Sequence, residues 1–385
     1  MNLLQVTPYY APAYSYGGVV RAVEGLATAL VERGHRVTVL TTDVLSRTER
    51  FRGPSDETVN GLRVIRLPVR SIWLRGVLNL SRPQNFRGTA RALMAEADIT
   101  HAHEFRTVEN LMLVSESRQL RQPLLMSPHG TLTYATGRSV LKDGWDRLFG
   151  RQIASGLSGV VALTARERED VRALFATVRA PEPRIDIVPN GIRLENFSEL
   201  TGGQAFRAKH DLGDAAMCLF MGRLHPRKGV DLLARAFLTA NVAGAVLVFA
   251  GADDGALPIL QPLLSDQVRY VGFLQGADRL AAWDAADVFA LPATGEGFSM
   301  AALEALAVGI PAVLSPDCNF PEAEAAGAAF IVPPQVEPVA QALERLLTDA
   351  SLRRVMGHSG VRLVESRYTW DHVAAEMESV YRHYL

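Results

Sequence analysis

Short apolar runs alternate with amphipathic stretches along this chain, and the whole pattern occurs twice. In the first half, residues 3–7 (LLQVT) read as a strand. A loop holding Pro8, Pro12, Gly17 and Gly18 follows. Residues 19–33 then carry Val23, Leu26, Ala27 and Leu30 at helical spacing. Gly34 stops that helix, and residues 37–41 are the next strand. Strand, helix and strand in this order imply parallel pairing, because a parallel strand needs a long crossover. Residues 61–67, 99–102, 124–127, 159–164 and 185–188 continue the series of strands.

The second half repeats the plan. Strands are expected at 216–221, 245–250, 268–271, 288–291, 311–314 and 329–332. Helices are expected at 231–241, at 280–286, inside 297–308 and across 335–361. The pattern predicts an α/β protein of two doubly wound, Rossmann-like domains, at residues 1–195 and 205–369. Residues 190–204, partly polar and without strong periodicity, read as the linker. A last amphipathic helix covers 370–385, with Trp370, Val373, Met377, Val380 and Tyr384 on roughly one face. At roughly 100–200 residues per domain, 385 residues suit two domains.

Charge is divided unevenly. Residues 1–195 hold 26 Lys+Arg against 19 Asp+Glu, and residues 196–385 hold 14 against 22. Halves of opposite sign can face each other across a cleft, or simply carry two different solvated surfaces. The formal net charge of -1 gives no reason to expect nucleic acid as a partner. Two cysteines, Cys218 and Cys318, make no disulfide framework. The start, MNLLQVTPYY, lacks a basic leader region, and no apolar run reaches 18 residues. The expected location is therefore the cytoplasm.

Open parallel sheets take ligands beyond the C-terminal ends of their strands. Polar clusters fall at several such points. In the loop 8–18, Gly17 and Gly18 let the backbone approach a ligand, and the helix start can receive anionic oxygens. A tight structural turn is the competing reading, and the G-x-G-x-x-G fingerprint is absent. The stretch MGRLHPRKG, 221–229, places Arg223 and Lys228 after a strand with Pro226 between them. Arg offers a bidentate fork and Lys a compact charge, which suits a diphosphate. A solvated basic loop would show the same residues.

The stretch PATGEGFSMAALEALAVGIP, 292–311, is the most informative. Glu296 lies in a glycine-flanked turn after a strand. Glu304 lies in the following helix, among Ala302, Leu303, Ala305 and Leu306. An acid among such neighbours has to be paired or ligand-bound. Carboxylates suit bidentate hydrogen bonding to the hydroxyls of a ribose or a hexose. Asp317, Glu322 and Glu324 follow the next strand, and so many acids favour a polyol ligand. His129, after 124–127 and before Gly130, reads equally as a substrate contact or a satisfied core-edge residue. His101 and His103 share one side of a strand but have no third ligand, so no metal site is expected. P-loop and G-x-S-x-G patterns are missing, which leaves kinase and serine-hydrolase readings unsupported.

Residues 58–95 hold seven arginines and no acid: Arg63, Arg66, Arg70, Arg75, Arg82, Arg87 and Arg91. Ile72, Trp73, Leu74, Val77, Leu78, Leu80 and Phe86 interleave with them. Such a segment, 63–91 at its basic core, can lie on an anionic membrane surface. It can also bind an acidic or lipid-linked acceptor, or form a basic helix pair on the domain surface.

Together these pieces resemble the retaining glycosyltransferases of family 4, which have the GT-B fold of two Rossmann-like domains facing across a cleft. EGFSMAALE matches that family's E-x7-E motif. GR…KG around 222–229, PNGI at 189–192, the N-terminal glycine loop and HG at 129–130 match in order. The likeness runs over nearly the whole chain and is clearest in 216–333. Two departures stand out: Ser299 replaces the more usual glycine, and CNFPE replaces a glycine-rich run, although Pro321 and Glu322 still match its end. Asp253 matches an acidic residue of the family's GDG-like turn.

The resemblance implies the following. Arg223 and Lys228 hold the donor diphosphate, and Glu304 binds the donor ribose. Glu296 binds the transferred sugar, beside Gly297, Phe298 and Ser299. Gly17 and Gly18 give backbone contacts near the diphosphate, and His129 approaches the sugar near its C6 side. Gly272, Phe273 and Leu274 border the base. The helix 370–385 crosses back to the first domain. The expected activity is transfer of a hexose, from a UDP-sugar by preference or from GDP-mannose, with retention of configuration. The acceptor would be a glycan or lipid-linked hydroxyl, in polysaccharide or glycoconjugate synthesis. No cofactor or metal is expected, and a peripheral position at the inner membrane face is. Two alternatives stand beside it. One is a synthase joining a nucleotide sugar to a phosphorylated sugar, with an anion site drawn from Arg106, Arg138 or Arg151. The other is a non-catalytic nucleotide-sugar-binding protein.

Overall fold

The structure is a computed structural model, and it describes residues 1–78, 82–132, 139–197 and 200–385. Leu80 and Arg138 lie outside the described residues. The chain divides into two compact units, residues 1–191 with 370–385, and residues 192–369.

The first unit is built on β1 (Asn2–Val6), β2 (Arg36–Thr42), β3 (Asp56–Val59), β4 (Leu62–Leu67), β5 (Ile99–His103), β6 (Leu124–Ser127), β7 (Gly159–Ala162) and β8 (Arg184–Ile187). They form one sheet in the order β3-β4-β2-β1-β5-β6-β7-β8. All neighbours pair in parallel except β3 and β4, an antiparallel hairpin. β3 is the strand the apolar pattern does not announce. Its residues, DETV, are mostly exposed, and it needs only the register of β4 to form. Side chains alternate across β1 as strand geometry requires. Leu3 joins the core under the helices Gly18–Glu32 and Trp370–His383, whereas Leu4 and Val6 join the core on the other face.

β7 ends at Ala162, before the expected 164, because Thr164 leaves the sheet to cap the next helix. Its hydroxyl accepts from the Glu167 N–H at 3.1 Å. The helix Trp370–His383 lies against Gly18–Glu32. Trp370 occupies the space a side chain would need at Gly25 and at Gly191. A Cβ at Gly25 would overlap the indole, so glycine is what allows this close approach.

The second unit holds β9 (Ala216–Met221), β10 (Ala245–Ala250), β11 (Val268–Tyr270), β12 (Val288–Leu291), β13 (Ala312–Leu314) and β14 (Ala329–Ile331). All are parallel, in the order β11-β10-β9-β12-β13-β14. Every residue of β10 and β12 is buried, as expected of strands covered on both faces. Each sheet reverses its winding once: between β1 and β5, and between β9 and β12. Ligands of doubly wound sheets bind beyond the strand ends at such reversals. The loops after β1, β5, β9 and β12 are therefore the positions to inspect.

Candidate active site

In the second unit, β9 runs into Gly222 and Arg223. The chain then turns through a short 3-10 segment, Pro226–Lys228. His225 closes this turn, its Nδ1 accepting from the Arg227 N–H at 3.1 Å. Gly229 sits in the left-handed region, and a side chain there would overlap the carbonyl of Pro292. The Thr294 N–H donates to the Arg227 carbonyl at 2.7 Å. The loop after β9 is thus held against the loop after β12.

That contact brings two expected residues together. Lys228 Nζ forms an ion pair with Glu296 Oε1. Glu296 is fixed through its backbone: its N–H donates to the Asp317 carbonyl at 3.1 Å, and its carbonyl accepts from Asn319 Nδ2 at 2.5 Å. Arg223 pairs with Asp254 at 2.5 Å. Ser299 caps the helix Met300–Ala307, its Oγ accepting from the Ala302 N–H at 3.2 Å. Serine at this position therefore has a structural use of its own. Glu304, 6 % exposed, forms an ion pair with Arg279, so the acid among apolar neighbours is paired. The Phe298 ring packs on Phe320 and Tyr368 in an aromatic cluster. Beyond β11, Gly272 has φ +81°, Phe273 is 56 % exposed and Leu274 is buried. The Gly272 carbonyl accepts from Gly251, and a side chain at Gly251 would overlap the Gly222 carbonyl. Three strand ends are thereby packed backbone to backbone.

In the first unit, Gly17 has φ +95° and caps the helix that begins at Gly18. His129 and Gly130 both have positive φ, and together they form a turn after β6. Glu167 holds that turn: its carboxylate accepts from Gly130 N–H and, at 2.7 Å, from Leu163 N–H. Burial pushes the Glu167 carboxyl up to about 7 against the pull of these two donors. Burial also pushes His129 down to about 4 and His101 down to about 3, and it lowers His103 well below its usual value. All three imidazoles are neutral at pH 7. His129 Nε2 meets His103 Nδ1 at 2.8 Å, and among the described residues His129 Nδ1 is buried without a partner. Among the described residues no group of three or more His, Cys, Asp and Glu is arranged to hold a metal.

Sequence reasoning did not find Arg279, Asp254, Arg227 or Glu167. Only the last left a signal, the T-x-x-E spacing of Thr164 and Glu167, a capping-box pattern. Arg227 lies near Gly295, its Nε buried without a partner among the described residues. Asp253 caps a turn, its Oδ1 accepting from Gly255, Ala256 and Leu257 at 2.9–3.1 Å.

Much of the basic segment is paired with acids that lie outside it. Arg63 pairs with Asp56, Arg66 with Glu57, and Arg87 and Arg91 with Glu116. Arg75 is buried over the Tyr9 ring. Arg70 and Arg82 are exposed, as are Trp73 (68 %) and Leu74 (44 %). Among the described residues no helix is long and apolar enough to cross a membrane.

Two protein families match in tandem. The family described as glycosyl transferase 4-like domain matches residues 17–191, and that described as glycosyl transferases group 1 matches residues 204–362. An uncharacterized glycosyltransferase of Methanocaldococcus jannaschii is 26% identical, over 99% of this chain and 98% of that protein. A D-inositol 3-phosphate glycosyltransferase of Xylanimonas cellulosilytica is 29% identical, over 95% of this chain and 91% of that protein. Among solved structures, the Anabaena protein HepE, in complex with UDP-glucose, superimposes with a TM-score of 0.76 at 15% identity, covering 100% of both chains.

Proposed function

The chain belongs to the family-4 glycosyltransferases of GT-B fold, and from that we propose a hexosyltransferase that works with retention on a UDP-sugar. Transfer of a sugar from a nucleotide-sugar donor to an acceptor comes with the family. Donor, stereochemistry and acceptor are our reading.

The observation that carries it is the meeting of Lys228 and Glu296 beside Arg223, at the adjoining ends of β9 and β12. Two cations beside a carboxylate suit a diphosphate bonded to a polyol. In this reading Arg223 and Lys228 take the diphosphate, Glu304 the ribose and Glu296 the sugar hydroxyls. Phe273, aromatic and exposed where a core residue would be covered, supplies a face for the base. Gly17 and Gly18 offer backbone contacts to the diphosphate, and His129 a side-chain contact to the sugar. HepE, a protein of the same fold, is solved with UDP-glucose, and that is what supports a UDP-sugar donor in this reading.

In the reaction the bond from the anomeric carbon to the diphosphate oxygen breaks, and a bond to the acceptor oxygen forms on the same face. The acceptor proton passes to a phosphate oxygen. Charge grows on the leaving diphosphate, so cations placed there act more strongly on the transition state than on the bound donor. Glu296 orients the sugar and forms no covalent bond. The acceptor is a glycan or lipid-linked hydroxyl, reached from the cytoplasm with Trp73, Leu74, Arg70 and Arg82 touching an anionic membrane surface. The synthase alternative has less support. Arg106 is committed to Asp146 at 2.7 Å and to the carbonyls of Thr131 and Leu132, and is not available to a sugar phosphate.

A calorimetric panel of UDP-, GDP- and ADP-sugars tests the donor, and the anomeric proton coupling of the product tests retention. Tightest binding by a UDP-hexose and a product of unchanged configuration are expected. Preference for another nucleotide, or an inverted product, overturns the reading.

A further inference from the structure

Tyr381 and His129 are the two ends of one hydrogen-bonded path in the first unit. Tyr381 lies on the helix Trp370–His383 and is fully buried. Gln5 Nε2 donates to the Tyr381 hydroxyl at 2.9 Å. The same hydroxyl meets His101 Nδ1 at 2.8 Å, and His101 Nε2 meets Ser127 Oγ at 2.8 Å. Gln5 Oε1 faces His103 Nε2 at 2.7 Å, and His103 Nδ1 faces His129 Nε2 at 2.8 Å.

The donors and acceptors in this path can be counted. A side-chain amide has one donor end and one acceptor end, and a neutral imidazole has one of each. With the amide placed so that Gln5 donates to Tyr381, the buried hydroxyl finds an acceptor for its own proton in His101 Nδ1. Gln5 then presents only its oxygen to His103, which must carry its proton on Nε2. His103 Nδ1 is consequently bare, and it can be satisfied only by a proton on His129 Nε2. That leaves the buried, unpartnered His129 Nδ1 as a lone pair. Reversing the Gln5 amide would reverse every step and turn His129 Nδ1 into a donor.

We propose that Tyr381 is a positioning residue: through Gln5 and His103 it fixes His129 in the Nε2–H tautomer, so that Nδ1 accepts from a hydroxyl of the transferred sugar. The sugar contact rests on the function proposed above, while the tautomer does not. Neutrality of the three imidazoles, which burial enforces, is what makes a single polarity available. An unpaired buried acceptor is costly, and a ligand hydroxyl relieves that cost.

The test is a long-range proton–nitrogen correlation spectrum of the full-length, nitrogen-15-labelled chain at pH 7.5. His129 is assigned through its loss in His129→Gln. The wild type is expected to show a protonated Nε2 and a bare Nδ1 at His129. Tyr381→Phe removes the acceptor that orients Gln5, and His129 should shift toward a mixture of tautomers. Transfer by this variant should fall about tenfold in kcat, the loss of one hydrogen bond, with donor KM little changed. Met377→Leu, on the same helix but outside the path, should keep the wild-type tautomer. If Tyr381→Phe does not fold, Gln5→Met tests the same link and should give the same mixture. A wild-type His129 protonated on Nδ1, or an unchanged tautomer in a folded Tyr381→Phe or Gln5→Met chain, overturns the proposal. Expected tautomers in a chain that transfers no sugar would uphold the path and sink the proposed function instead.

Discussion

Lys228 and Glu296 meet as an ion pair across the loops that follow β9 and β12; Lys228 is held by its N–H on the His225 carbonyl, and Glu296 by Asp317 and Asn319 of the loop after β13. Neither is deeply buried, so the pair adds little to stability. In the proposed function its use is in binding. Lys228→Ala is expected to weaken donor binding by roughly 10–100-fold, the worth of a charge-assisted hydrogen bond, and to leave the melting temperature within a few degrees of wild type. Calorimetry and thermal denaturation check both halves. Undiminished binding would remove Lys228 from the diphosphate site.

Glu304 and Arg279 are more deeply placed. Glu304→Gln keeps the shape and strands the guanidinium, which should cost about 2–4 kcal/mol of stability. The double variant Glu304→Gln with Arg279→Met should regain most of that stability in urea titrations and still fail to bind donor. Recovery of binding along with stability would assign Glu304 a purely structural part.

Gly25 and Trp370 share one space. Gly25→Ala is expected to destabilise the first unit by about 1–3 kcal/mol, the usual range for overpacking. Trp370→Leu in the same chain should return part of that loss, because the clash is with the indole. An equal cost in both backgrounds would show that the clash is not what destabilises Gly25→Ala.

Glu167 gives a pH dependence whose sign can be stated. Its folded pKa of about 7 lies above the ordinary 4.5, so between those values the folded chain holds a proton that the unfolded chain has released. The burial penalty is absent below about pH 4.5 and fully present above about pH 7. Glu167→Gln removes it. Relative to wild type, the variant should gain on the order of 2–3 kcal/mol between pH 4.5 and pH 7.5. Parallel pH profiles in urea unfolding would contradict this.

For the basic segment, salt-sensitive sedimentation with anionic liposomes is expected at low ionic strength. Trp73→Ser with Leu74→Ser, or Arg70→Ala with Arg82→Ala, should abolish it. Arg87→Ala should not, because Arg87 is engaged with Glu116. Loss in the Arg87 variant alone would place the contact elsewhere.

Strands were legible in the sequence where both faces are buried. Residues 124–127, 216–221, 245–250 and 288–291 have the expected bounds, because an uninterrupted apolar run has no other use at that length. β3 was hidden because an exposed edge strand carries no apolar signature. In the candidate site, Arg223, Lys228, Glu296 and Glu304 announced themselves as charges at strand ends. Their partners did not. Asp254 and Arg279 look like ordinary surface residues until the sheet brings them near, and local spacing encodes nothing of that. The path from Tyr381 to Gln5 spans 376 positions in the sequence. No periodicity links residues so distant. Only the parallel arrangement of β1 and β5 beside the last helix does.

Arg223, Lys228 and Arg279 each already hold a carboxylate: Asp254, Glu296 and Glu304. Under the proposed function the site would behave as an ion exchanger rather than as a bare electrode. In that proposal an entering diphosphate would displace resident anions, and the freed carboxylates would then be open to hydroxyl groups. A small inorganic anion could take a cation but would leave those carboxylates unsatisfied. Discrimination in favour of a ligand that is acidic at one end and rich in hydroxyls at the other thus follows from the exchange itself, before any contact that recognises a particular sugar.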